Sequence, residues 1–115
     1  MSPREWHFRI DDMLQALAGI AEDIDGLDYQ DFVSDRKTRN SVVRELEIVG
    51  EAARHVPPDI EALYPQIPWR LMRDMRNVIA HEYFGVDWQI VWETAVNDLP
   101  VLVPVLQQIL LAERL

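Results

Sequence analysis

Apolar residues recur at helical spacing along nearly the whole chain, and no stretch alternates at period two for long enough to be a strand. Ser2-Pro3-Arg4-Glu5 reads as a capping box with proline at the first helical position. Apolar residues then fall at Trp6, Ile10, Met13, Leu14, Leu17, Ile20, Ala21 and Ile24, which predicts an amphipathic first helix with Gly26 as its C-cap. Tyr29 and Phe32 occupy a short connector with room for one turn of helix. Ser34 or Asp35 caps a second helix running to about His55, with Val42, Val43, Leu46, Val49, Ala52, Ala53 and Val56 on its apolar face. Gly50 costs about 1 kcal/mol of helix propensity relative to Ala, and its bare backbone would let another helix approach closely. Pro57-Pro58 ends the helix, and residues 57–68, with four prolines, form a connector with a turn around Asp59–Leu63.

Pro68 opens a third helix from Trp69 to about Tyr83, and Gly85 stops it. Asp87 caps a fourth, carrying Trp88, Val91, Trp92, Ala95, Val96, Leu99, Leu102, Leu106, Ile109 and Leu110. Pro100 and Pro104 should kink or split that helix near Asn97–Asp98. The expected fold is all-α: a single domain over residues 1–115, an up-and-down bundle of four main helices with a Pro-rich connector and a kinked last helix. Trp69, Trp88 and Trp92 are read as core rather than as a base-stacking platform.

Composition narrows the function. With 115 residues, 49% of them hydrophobic, the chain can bury one core and is not disordered. Without cysteine it forms neither a disulfide scaffold nor a tetrahedral Cys/His zinc site. No His-x3-His or His-Glu-x-x-His pair suggests a metal, and four glycines make no phosphate loop, so no cofactor is expected. The start lacks a signal-peptide core, and the longest apolar run, Leu99–Leu106, contains two prolines. A cytoplasmic protein without membrane association is therefore expected.

The formal net charge is −9, which argues against a general nucleic-acid binder. The charge is uneven, however. Residues 1–35 hold two Arg against nine acids, whereas 36–54 hold Arg36, Lys37, Arg39, Arg44 and Arg54 against three acids. Residues 70–76 hold Arg70, Arg73 and Arg76 against Asp74. Either basic stretch can be a solvated helix face with i,i+4 partners, or a surface for phosphate or carboxylate.

On a wheel of about 100° per residue with Arg76 at zero, Leu71, Met72, Met75, Val78 and Ile79 cluster as the core face of the third helix. Arg70, Arg73, Asp74, Arg76, Asn77, Ala80 and His81 collect on the other side, and Tyr83 falls almost above Arg76. Arg76 and His81 are about 140° and 7.5 Å apart, so they meet only at a helix end, across a ligand, or through a symmetry mate. Together such residues could cleave RNA without metal. Histidine is a general acid or base near neutral pH, arginine stabilises charge on the phosphorus, and the 2′-hydroxyl is the nucleophile. Alone, an Arg-x4-His pair on one helix is a weak signal. His7 and His55 read as packing or surface residues, His55 complementing a helix C-terminus.

Arg76-Asn77-Val78-Ile79-Ala80-His81-Glu82-Tyr83 resembles the Arg-x4-His-x-Tyr signature of HepT-like proteins of the HEPN superfamily. Glu45–Ala52, Ile67-Pro68-Trp69, and Phe84-Gly85-Val86-Asp87 followed by Trp92 are similar to the surrounding family segments, so the likeness covers roughly residues 5–110. The resemblance implies an all-α homodimer that is the RNase toxin of a type II/VII-like toxin–antitoxin system, with tRNA or mRNA as candidate substrates. It implies Arg76 and His81 as catalytic, Asn77 as the polar residue following the Arg, and Tyr83 as an AMP acceptor; the basic face of the third helix adds Arg70 and Arg73 as expected RNA-binding residues. The implied partner is a minimal nucleotidyltransferase antitoxin. The competing reading is a non-catalytic helical subunit of that nucleotidyltransferase, binding nucleotide or substrate.

Overall fold

A computed structural model describes residues 3–74 and 85–114, with side chains over 5–74 and 85–112. Among the described residues the ordered elements are helical, with no strand. They are α1 (Pro3–Ile24), α2 (Tyr29–Ser34), α3 (Arg36–Ala53), α4 (Pro58–Leu63), α5 (residues 69–74), α6 (Trp88–Glu93), a π-helical turn (Thr94–Asp98) and α7 (Leu102–Arg114).

The first two long helices form as their periodicity predicts. Trp6, Ile10, Met13, Ala16, Leu17 and Ile20 of α1 are buried. So are Val42, Val43, Leu46, Val49, Gly50, Ala52 and Ala53 of α3, and these two helices make the most extensive contact among the described elements. Gly26 has φ +75°, the left-handed conformation that ends α1 at low steric cost. The expected cap at Ser2 lies outside the described residues.

Close approach between α1 and α3 occurs at Gly19. A Cβ there would stand 3.2 Å from Cδ and 3.3 Å from Oε2 of Glu45. Burial of the Glu45 carboxyl, and secondly the negative charge of Asp23, push its pKa up, against the pull of Arg44. Asp23 in turn accepts a hydrogen bond from Ser41 Oγ, so this seam of α1 and α3 is polar.

The connector after α1 carries the short helix for which it had room, α2. Asp28 accepts from the Asp31 amide at 2.8 Å and Asp31 accepts from the Asp28 amide at 3.1 Å, an acidic capping box around α2. Of the two residues expected to cap α3, Asp35 does so. Its carboxylate accepts from the Lys37 amide at 3.0 Å and the Thr38 hydroxyl at 2.9 Å, and chiefly the latter bond holds its pKa down. Phe32 of α2 is fully buried, with ring centroids 6.2 Å from Trp88 and 5.2 Å from Trp92, while Tyr29 meets Trp92 edge-on at 6.3 Å. Trp88 and Trp92 are thus half-buried packing residues, and Trp69 is buried.

The last helix breaks where the prolines predict. Pro100 has no N–H to offer the Val96 carbonyl. Leu99 N–H instead donates to Thr94 O at 3.0 Å, an i→i+5 bond that makes the turn π-helical. Two short bonds follow, Leu102 N–H to Leu99 O at 3.0 Å and Val103 N–H to Pro100 O at 3.3 Å. The helices on either side bend by 54°. Pro104 causes no break because it sits in the first turn of α7, where its amide would have no helical partner. Leu102, Leu106, Ile109 and Leu110 are buried, and α7 packs on α1. Among the described residues no single helix is long and apolar enough to cross a membrane; the bent α6–α7 pair reaches the length only jointly.

Candidate functional site

Pro68 starts α5 as expected. Its carbonyl accepts from the Met72 amide at 3.0 Å, and Trp69 Nε1–H donates to Tyr64 O at 3.0 Å, which ties the helix start to the end of α4. Met72 points into the core at 1% exposure. Leu71 does not: it is 67% exposed, against the wheel's placement of it on the packed face. It borders an apolar cavity of about 460 Å³ together with Met72, Leu46, Ile90 and Leu99. Asp74 and Gly85, where the signature segment leaves and rejoins the described residues, also line it.

The two leading arginines of the basic stretch are placed differently. Arg70 is largely exposed, its Nε 3.8 Å from the Asp74 carboxylate one turn on. Arg73 is half-buried and forms a close ion pair with Glu61 of α4. The pair fastens α5 to the short helix before it, so an RNA phosphate at Arg73 would compete with Glu61. Arg76, Asn77, His81 and Tyr83 lie outside the described residues, as do Met75, Val78, Ile79 and Ala80.

The other histidines sit in structural settings. His7 stacks on Trp6 with centroids 4.0 Å apart. His55, just past α3, is 3.4 Å from Glu51 Oε1, so a carboxylate holds it as well as any helix-end dipole. Among the described residues no three His, Asp or Glu side chains gather as metal ligands.

A helical bundle presenting an arginine-rich helix defines a class, and comparison with known proteins specifies it. The family described as ribonuclease HepT-like matches residues 13–109. A protein of Thermococcus cleftensis named probable ribonuclease HepT is 42% identical over 93 residues, covering 81% of this chain and 84% of that one. A candidate RNase of Caldanaerobacter subterraneus subsp. tengcongensis is 34% identical over 105 residues, covering 91% and 94%. Another, from Methanocaldococcus jannaschii, is 34% identical over 100 residues, covering 87% and 92%. No solved structure matches the chain. The chain belongs to the HepT-like ribonuclease family.

Proposed function

We propose that this protein is a metal-independent endoribonuclease and the toxin of a toxin–antitoxin pair. The observation that carries the reading is the Arg76-x4-His81-x-Tyr83 signature in a chain that belongs, over most of its length, to a ribonuclease family. In the proposed reaction His81 takes the proton of a ribose 2′-hydroxyl, whose oxygen attacks the adjacent phosphorus. The bond to the 5′-oxygen breaks and that oxygen takes up the proton held by His81, leaving a 2′,3′-cyclic phosphate and a 5′-hydroxyl. Arg76 holds the scissile phosphate and stabilises the charge that builds on it, with Asn77 beside it. A homodimer would bring two signature helices to one cleft and supply the convergence that a single helix lacks. Arg70, exposed beside Asp74, would take a flanking phosphate, and Arg73 would reach one by leaving Glu61.

Regulation follows from Tyr83. A nucleotidyltransferase antitoxin would transfer AMP to its hydroxyl, the phenolic oxygen attacking the α-phosphorus of ATP with loss of pyrophosphate. The added phosphodiester and adenine would cover the arginine face and neutralise it locally. The test is expression with and without the nucleotidyltransferase. Growth arrest and RNA cleavage by the wild type alone, lost in His81→Ala, are expected. Cleavage that persists in His81→Ala refutes the mechanism. Absence of both toxicity and cleavage favours the non-catalytic subunit, the reading to which the net charge of −9 lends weight. Incubation with the antitoxin and ATP should add AMP mass to the peptide bearing Tyr83.

A further inference from the structure

Eight Lys and Arg side chains are described, and they divide evenly. Arg9, Arg54, Arg70 and Arg73 each have a carboxylate within 4.0 Å. Arg36, Lys37, Arg39 and Arg44 have no ion pair among the described residues, and all four lie in the first half of α3. Arg36, Lys37 and Arg44 are exposed and fall within about 100° of one another on the helix wheel, over a rise of about 12 Å. The nearest acid in sequence, Asp35, has its carboxylate turned onto the Lys37 amide and the Thr38 hydroxyl. Glu45, beside Arg44, points to α1 at Gly19. Among the described residues, this is the stretch whose basic side chains form no ion pair, although Lys37 and Arg44 still act on Asp35 and Glu45 through space.

Arg39 connects this face to the signature segment. Its guanidinium carbon lies 5.0 Å from the Trp88 ring centroid, a cation–π contact. Its Nε is buried without a hydrogen-bond partner. Trp88 opens α6, three residues after Gly85, where the signature segment rejoins the described chain; three residues span at most about 11 Å. Arg36, about 60° from Arg39 on the wheel, is the member of the unpaired face on the side of this contact, whereas Lys37 and Arg44 lie about 160° and 140° round the helix from Arg39.

We propose that Arg36, Lys37 and Arg44 form a second phosphate-binding surface that holds the RNA strand beyond the cleavage site, with Arg39 fixing its position through Trp88. The proposal rests on the ribonuclease reading. It adds that substrate is gripped by α3 as well as by the signature segment, which the sequence alone does not separate from an ordinary solvated face.

The test uses full-length protein carrying His81→Ala, so that RNA is bound and not cut, and a labelled single-stranded RNA of mixed sequence. Binding is measured across a salt series, with and without Arg36→Gln/Lys37→Gln/Arg44→Gln. Matched melting curves confirm that both fold. The expected result is binding weakened at least about tenfold at low salt, with the slope of log K against log salt shallower by about 2, from three lost phosphate contacts. Arg36→Lys/Arg44→Lys should keep the slope. Unchanged affinity and slope, while the wild type still cleaves RNA, overturn this proposal alone. A wild type that neither binds nor cleaves RNA overturns the ribonuclease reading and this one with it. Loss confined to binding of the nucleotidyltransferase, with RNA affinity intact, makes the face a protein interface and also overturns the proposal.

Discussion

Removing either partner of the Arg73–Glu61 pair separates two roles for Arg73. The side chains are 32% and 20% exposed. Exposed ion pairs contribute about 0–1 kcal/mol, while breaking a buried one costs about 3–5 kcal/mol. This pair sits between those limits, so Arg73→Gln and Glu61→Gln should each destabilise by roughly 1–2 kcal/mol. The double variant should cost less than the sum, with a coupling of about 0.5–1.5 kcal/mol in a urea-unfolding cycle. RNA binding gives the second readout, and its sign differs between the roles. If Arg73 mainly fastens α5 to α4, both single variants lose cleavage together. If it is an RNA contact in waiting, Glu61→Gln frees it and tightens RNA binding, while Arg73→Gln weakens it. Unchanged urea midpoints in both singles, with zero coupling, would show that the pair holds nothing and would refute the fastening argument.

Other outcomes follow from packing and charge. Phe32→Ala empties a fully buried site between Trp88 and Trp92 and should cost about 3–5 kcal/mol by urea unfolding. Gly19→Ala should stabilise by about 1 kcal/mol of helix propensity when made in a Glu45→Ala background, and by less in the wild type, where Glu45 must turn aside; thermal melts compare them. The pKa of Glu45 is raised in the folded protein, so its charged form opposes folding, and wild-type stability is lost as pH rises through that raised value. Glu45→Gln should accordingly melt higher than wild type at pH 7, with the gap closing below the unfolded value near 4.5.

The helices were legible because their signals are local. Apolar spacing marked α1 and α3, proline and aspartate marked their starts, and Pro100 marked the break in the last helix. α2 could have been read as a full element: Asp28 and Asp31, three apart before Phe32, are the acidic form of a capping box. Leu71 shows the limit of a wheel. It orders residues about one axis and does not say whether another helix faces them. Arg73 shows a second limit, since its partner Glu61 lies in the proline-rich connector and no spacing rule joins them. Gly50 of α3, where the sequence leaves room for another helix, is buried, and a close approach is also seen at Gly19, where the Glu45 side chain from the neighbouring helix takes the room. Arg76, Asn77, His81 and Tyr83 were legible only as a motif, and their geometry rests with the proposal.

The turn at residues 94–103 preserves rotational phase while changing direction. A π turn under-rotates the chain relative to an α-helix, and the tight turns after it over-rotate it. The two errors cancel. Counted at about 100° per residue from Trp88, Val91, Ala95, Leu99, Leu102, Leu106 and Ile109 still fall within one sector of roughly 80°, as if the helix had never broken. All of them are buried. The protein thus bends by 54° without turning its apolar stripe away from the core. Length between Thr94 and Val103 is therefore as constrained as composition. One residue gained or lost there would swing the whole of α7 by about 100° and present Leu106 and Ile109 to water.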